Sequence, residues 1–333
     1  MKRLFIAAGL ALGFSLQAEA GDDADAFKAR YQRPTSIPFP KDNPYTPEKA
    51  ALGKMLFFDT RLSRDRNLSC ASCHNPSFGW EVPFAKAIGA GGKPLGRHAP
   101  TAINLAWSQN LFWDGRAPTL EAQARGPIEA DVEMDLPLGT ALTRLKEVEG
   151  YRQAFSRAFP SDGLTEANIL KAIATFERTL VTGITPFDRW VRGNDKAISD
   201  AAQRGFVLFN GKAACSGCHA GWNFTDDKFH DVGLPDADKG RSVVTKKAED
   251  DFGMKTPGLR EISARAPYMH DGSLATLEAV MGHYVAGGTA RPTRSPLMKP
   301  VPLNGTEVAD VIAFLRTLSS PQSVVTLPNL PAH

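Results

Sequence analysis

The chain has 333 residues, 42% of them hydrophobic, with 39 basic against 36 acidic side chains and a formal charge of +3. The basic residues are scattered rather than blocked, which excludes a nucleic-acid footprint, and no segment approaches the ~20 consecutive apolar residues of a membrane span. The length suits two domains of ordinary size.

Lys2-Arg3, the apolar run from Leu4 to Leu16 and the small-residue site Ala18-Glu19-Ala20 predict a secretory signal over residues 1–20, cleaved before Gly21. The run is too short to cross a bilayer, so the mature product is expected to be soluble and periplasmic. Without Lys2, Arg3 and Glu19 it carries 37 basic and 35 acidic residues.

Thr46-Pro47-Glu48 predicts a helix start, with a capping hydroxyl, proline in the first turn and an early acid. Leu52, Met55, Leu56, Phe57 and Phe58 form the apolar face leading to Cys70-Ala71-Ser72-Cys73-His74. The glycine-rich stretch from Ala87 to Pro100 is a loop. Ile169, Ile173, Phe176 and Leu180 recur at helical spacing, with Gly183 placed as the stop. The boundary between halves is expected near Pro186 to Ser199, giving domains 21–190 and 191–333 with the terminal segments crossing between them.

A weak repeat then opens the second half: Gly205-Phe206-Val207-Leu208-Phe209 precedes Cys215 as Gly53-Lys54-Met55-Leu56-Phe57 precedes Cys70. Cys215-Ser216-Gly217-Cys218-His219 follows, then a charged stretch from Asp236 to Asp251 that reads as a mobile loop. Thr306 is the expected cap of a last helix whose Val308, Val311, Ile312, Leu315 and Leu318 share one side before Pro321. No run alternates apolar and polar residues as a strand would. The expected fold is therefore mainly α, two cytochrome c-like domains each wrapping one covalent haem, with little β structure.

The two C-x-x-C-H motifs use all four cysteines. In each, two thiols add to the vinyl groups of one haem and the adjacent imidazole takes an axial position on its iron, so two covalent c-type haems are expected, bound by Cys70, Cys73 and His74 and by Cys215, Cys218 and His219. Zinc would need a second ligand pair at short spacing, and neither motif has one nearby.

Over nearly its whole mature length the chain resembles the bacterial di-haem cytochrome c peroxidases and MauG proteins. The resemblance rests on Phe112-Trp113-Asp114-Gly115-Arg116, on Leu120-Glu121-Ala122-Gln123-Ala124 through Pro127 to Glu133-Met134, and on Pro267-Tyr268-Met269-His270-Asp271-Gly272-Ser273. It implies a peroxidatic first haem whose distal pocket holds Gln123 and Glu133, shaped by Pro127. Heterolysis of an O–O bond needs a base that moves a proton between the peroxide oxygens and polar groups that support the developing charge. The resemblance further implies that Trp113 lies between the haems, that His270 belongs to the second haem's pocket, and that the Arg265 and Pro267 carbonyls match ligands of an inter-domain calcium. Against calcium, His98 stands where the family commonly places an asparagine ligand, and it reads as structural.

No histidine lies between His74 and His98 to block the first iron, which implies that it is open to peroxide. Tyr284 occupies the register of a methionine ligand to the second haem, as in the MauG-like branch with its methanobactin-associated members; Met281, one turn away, is the competing ligand. Phenolate oxygen stabilises higher oxidation states of iron, where a thioether favours the ferrous form. The surface tryptophan that the branch uses for long-range oxidation is replaced by Ala213. The implied function is a periplasmic enzyme that uses hydrogen peroxide to reach a bis-Fe(IV)-type state and oxidises an aromatic residue, expected to be Trp, of a partner protein. The alternative is a peroxide-detoxifying cytochrome c peroxidase with a small cytochrome or cupredoxin donor, and a third reading is a plain electron carrier with both irons closed.

Overall fold

The computed structural model describes residues 24–321 and 325–332, so the expected signal over 1–20 lies outside the described residues. In chain order the helices are α1 (24–28), α2 (Pro47–Phe58), α3 (Cys70–Cys73), α4 (Leu120–Glu129), α5 (Leu138–Lys146), α6 (Glu149–Ala158), α7 (Glu166–Arg178), α8 (Pro186–Val191), α9 (Asp200–Asn210), α10 (Ser242–Thr245), α11 (Leu277–Ala286) and α12 (Gly305–Arg316). Among the described residues, strands are confined to an antiparallel pair, β1 (Phe229–His230) and β2 (Met254–Lys255). The fold is mainly α, as the absence of alternating runs required.

Helix starts follow side-chain chemistry. The hydroxyls of Thr46, Thr119, Thr165, Ser199 and Thr276 each accept a hydrogen bond from a backbone N–H in the first turn, satisfying a donor the helix leaves orphaned. Two expected boundaries move. The last helix is capped by Asn304, which forms a capping box with Glu307, rather than by Thr306. Helix α7 ends at Arg178 with Thr179 as its cap, short of Gly183.

Each half is built on one close helix crossing, and the repeat in the sequence marks it. A Cβ at Gly53 on α2 would lie 1.9 Å from the Ala172 carbonyl oxygen on α7 and 2.9 Å from the Phe176 Cβ. A Cβ at Gly205 on α9 would lie 1.9 Å from the Asp310 carbonyl oxygen on α12 and 2.9 Å from the Phe314 Cβ. Only glycine lets the backbones approach this far. One turn on, Phe57 packs edge-on against Phe176 at 5.3 Å and Phe209 against Phe314 at 5.1 Å, so each crossing leads straight into an aromatic core.

The halves exchange their ends. Tyr31 is buried in the second core, stacked on Phe224 at 4.9 Å, and donates its hydroxyl to the Asn210 side chain. Arg33 bonds the Thr182 and Gly183 carbonyls and the Asp188 carboxylate. At the other end, Val325 packs on the first core and Arg61 donates to the Pro331 carbonyl. A division at 190/191 cuts through α8, whose Phe187, Trp190 and Val191 all lie in the second core.

The stretch from Asp236 to Asp251 is tied down rather than mobile. Arg97 holds Asp238 through two hydrogen bonds of 2.6 and 2.8 Å, Arg241 donates to the Asp114 and Gly115 carbonyls, and α10 occupies its middle. Asp238 and Arg241 find their partners more than a hundred positions away, which local composition does not reveal.

Candidate functional site

The first motif folds as a single capped turn. Ser69 and Ser72 form a reciprocal capping box at the start of α3, and the His74 N–H donates to the Cys70 carbonyl. The His74 Nδ1 lies 3.2 Å from the Trp80 carbonyl oxygen, which accepts from the Nδ1–H tautomer and leaves the Nε2 lone pair free. Burial pushes the ring's pKa down and keeps it neutral, the form in which imidazole binds a metal. The second motif repeats the device: His219 Nδ1 is 2.8 Å from the Phe224 carbonyl oxygen, and burial lowers its pKa too. Burial pushes the Cys73 and Cys218 thiols up to about 11 and Cys215 up to about 12. The thiolates of redox dithiols, by contrast, are favoured by a lowered pKa.

A cavity of about 530 Å³ opens beside His74 and runs to the second half, where Ala220, Gly221 and Trp222 follow directly on His219. Gln123, Pro127, Glu133, Phe112 and Trp113 all line it. Helix α4 carries Gln123 on its second turn and ends soon after Pro127; the chain then turns back through the Met134 N–H to Pro127 carbonyl bond, setting Glu133 on the same wall. The loop from Ala87 buttresses that turn: Ala90 N–H donates to the Glu133 carbonyl, and a Cβ at Gly89 would lie 1.9 Å from the Val132 carbonyl oxygen. Burial raises the Glu133 pKa above the ordinary carboxylate value, partly offset by the Arg116 guanidinium, which itself stacks 3.5 Å over the Phe112 ring.

Trp113 is buried and fixed on three sides. Its Nε1–H donates to the His98 carbonyl at 2.8 Å, its own carbonyl accepts from the Lys255 N–H at 2.7 Å, and its ring meets the His270 ring edge-on at 6.2 Å. His270 has its Nε2 3.2 Å from an Asp236 carboxylate oxygen, and its carbonyl accepts from the His98 N–H.

Tyr284 and Met281 both lie near the second motif, in different surroundings. Met281 belongs to the second hydrophobic core, whereas the Tyr284 hydroxyl makes no hydrogen bond among the described residues. Burial raises the Tyr284 pKa, and the Cys215 and Cys218 thiols are near enough to raise it further. Gly287, at φ +80°, caps α11 by donating to the His283 and Tyr284 carbonyls, so the glycine after Tyr284 ends its helix.

The residues fit the two haems. Besides two neutral imidazoles with free Nε2 atoms, the cavity wall holds Arg260, whose guanidinium is 1% exposed and whose outer nitrogen has no partner among the described residues. Asp188 at 2.9 Å and the Trp222 carbonyl hold its other nitrogens. A buried cationic donor facing an apolar-walled cavity suits the carboxylates of a haem. Lys255 and Glu177 also line the cavity, and burial raises Glu177 to about 8. None of Arg260, Lys255 and Glu177 stands in a motif, and no sequence signal singles them out.

The residues do not fit calcium. His98 is engaged at both nitrogens, by Glu81 at 3.2 Å and by the Phe84 and Ala85 carbonyls, and the Arg265 side chain is turned into the same junction. Calcium takes six to eight oxygen ligands. Among the described residues, three acidic, histidine or cysteine side chains converge only at Cys218, Asp226 and His230, beside the second motif.

The family model described as di-haem cytochrome c peroxidase matches residues 47–196, and the cytochrome c model matches 202–319. The chain is 50% identical over 313 residues to the methylamine utilization protein MauG of Methylorubrum extorquens, covering 93% of this chain and 89% of that one. It is 35% identical to the cytochrome c551 peroxidase of Pseudomonas aeruginosa, covering 95% and 91%. Among solved structures, a MauG-like protein associated with microbial copper homeostasis superposes with a TM-score of 0.81 at 32% identity, over 87% of this chain and 95% of that one.

Proposed function

The chain belongs to the di-haem cytochrome c peroxidase family, an oxidoreductase family with two c-type haems, and within it we propose a MauG-like enzyme that spends hydrogen peroxide on an aromatic residue of a partner protein. Each haem, when bound, supplies an iron that can activate peroxide or hold the oxidising equivalents gained from it. Reduction of peroxide to two waters takes two electrons and two protons, and the partner's aromatic side chain, expected to be Trp, is the electron source.

In this reading Cys70, Cys73, Cys215 and Cys218 would carry the thioether bonds, and His74 and His219 would hold the irons through Nε2. The Glu133 carboxylate takes a proton from the nearer peroxide oxygen and returns it to the farther one. Gln123 orients the peroxide, and Pro127 sets the turn that brings Glu133 back to it. The raised pKa of Glu133 suits a group that must first accept and then release a proton. Trp113, wedged between His98 and His270, offers an indole for sharing charge between the two halves. Tyr284 would supply a phenolic oxygen to the second haem, which stabilises higher oxidation states of iron, and His270 stands against Trp113. The enzyme is expected to work in the periplasm after loss of residues 1–20, with no membrane span; no described helix is long and apolar enough to cross one.

The observation that carries the proposal is the meeting of Gln123, Glu133 and His74 on one cavity that also reaches Trp113. The detoxifying alternative, with a donor cytochrome or cupredoxin, would favour Met281 as the second ligand; Met281 packs in the second core, whereas the Tyr284 hydroxyl has no hydrogen bond among the described residues. Glu133→Gln tests the role directly. Haem content should be unchanged while peroxide-driven Soret changes slow by ~10²–10⁴-fold in stopped flow. An unchanged rate would remove Glu133 from the mechanism.

A further inference from the structure

Arg265 comes from the second half, just after the turn Ile262–Ala264, yet its guanidinium reaches across to the first. Its Nε donates to Glu81 Oε1 at 2.8 Å across 184 residues of sequence, and the two side chains are 5% and 4% exposed. Its NH1 donates to the Gly258 and Arg260 carbonyls at 2.8 and 2.9 Å. The other Glu81 oxygen lies 3.2 Å from His98 Nε2, and the His98 N–H donates to the His270 carbonyl at 2.7 Å. One carboxylate, one imidazole and one guanidinium from the two halves are thus closed on each other in the interior.

A second observation points the same way. Gly79 sits at φ +61°, and a Cβ there would lie 2.5 Å from the Arg265 Cγ. The first half leaves room for the arginine stem at a position where any side chain would displace it.

We infer that Arg265 is the resident cation of the domain junction, standing where the family resemblance implies calcium, so that the halves are joined without a divalent metal. The reason is electrostatic and geometric. A doubly charged ion brought into this junction would meet a buried guanidinium, with little water to screen the repulsion. The carboxylate oxygens of Glu81 at this junction are already taken by Arg265 and His98, and position 98 offers nitrogen where calcium needs oxygen. The inference does not depend on the reaction proposed above.

Metal analysis of the holoprotein after passage over a chelating resin is the test, joined to calorimetric titration with calcium and to thermal melts in EGTA and in calcium. No stoichiometric calcium, no saturable heat and coincident melts are expected. One retained calcium per chain, saturable binding, or a lower melting temperature in EGTA would overturn the inference. Arg265→Met should lower the melting temperature with no recovery on adding calcium, and Arg265→Lys, which keeps the charge but not the planar fork, should lie between. A lysine variant that melts with the wild type would remove the guanidinium from the junction, and calcium rescue of either variant would do the same.

Discussion

Replacing Gly205 by alanine should open the second haem domain along its central seam. The new Cβ would stand 1.9 Å from the Asp310 carbonyl oxygen, where ordinary contact begins at 3.4 Å, so α9 and α12 must part by about 1.5 Å. Neither contact can yield cheaply, since one is helix backbone and the other the Phe314 Cβ. Separation by 0.5–1 Å already forfeits a quarter to a half of a dispersion contact, and Phe206, Phe209, Val311, Phe314 and Leu315 all pack in this core. We expect a loss of about 3 kcal/mol, which at roughly 2–4 °C per kcal/mol lowers the melting temperature by about 6–12 °C. Urea unfolding followed by circular dichroism and Soret absorption measures it, with Gly139→Ala as the control. Gly139 lies in the first turn of α5 and meets only the flexible end of Glu166, at 3.4 Å, so alanine there should be neutral or stabilising by about 0.5–1 kcal/mol. A loss below about 1 kcal/mol at Gly205, or an equal loss at both sites, would refute the crossing as the organiser of the domain.

Tyr284→Phe removes one oxygen atom and should change the ferric electron paramagnetic resonance and resonance Raman signals of one haem while sparing the other; identical spectra would exclude the phenol as a ligand. Arg116→Met should move the acidic limb of peroxide activation to higher pH. Glu133 must be deprotonated to act as base, burial already raises its pKa, and Arg116 is the group that lowers it, so without the guanidinium the base is lost earlier on acidification. A pH profile that does not move would detach Arg116 from Glu133. Asp188→Asn should cost ~3–5 kcal/mol in urea unfolding, because it leaves Arg260 and Arg33 facing a neutral amide in the interior; a cost near zero would mean that water reaches the pair.

What the sequence revealed was local. Two C-x-x-C-H motifs are contiguous and carry their own geometry, and Thr46-Pro47-Glu48 forms the cap its residue types dictate. The repeat around Gly53 and Gly205 was visible as a pattern, but its cause, a backbone contact with a partner helix over a hundred residues away, was not. The site residues came from a resemblance, and the turn after Pro127 gives the physical reason why positions 123 and 133 meet on one wall. Arg260 and the side-chain role of Arg265 stayed invisible because an isolated arginine in a polar stretch has no periodicity and normally points to solvent. The stiffness of 236–251 was missed for the same reason, its anchors being Arg97 and Asp114.

The exchange of chain ends makes the molecule a reciprocal clasp. A protease cut in the stretch between Leu180 and Thr185 would sever the only covalent path through that region, yet each fragment would still hold a peg in the other: Tyr31 among Phe187, Phe206 and Phe224, and Pro331 against Gly150. Expressed alone, the later half would present a socket emptied of its tyrosine. The two haem modules are thus a single mechanical unit rather than beads on a string, with the spacing of their metal sites set by the whole chain.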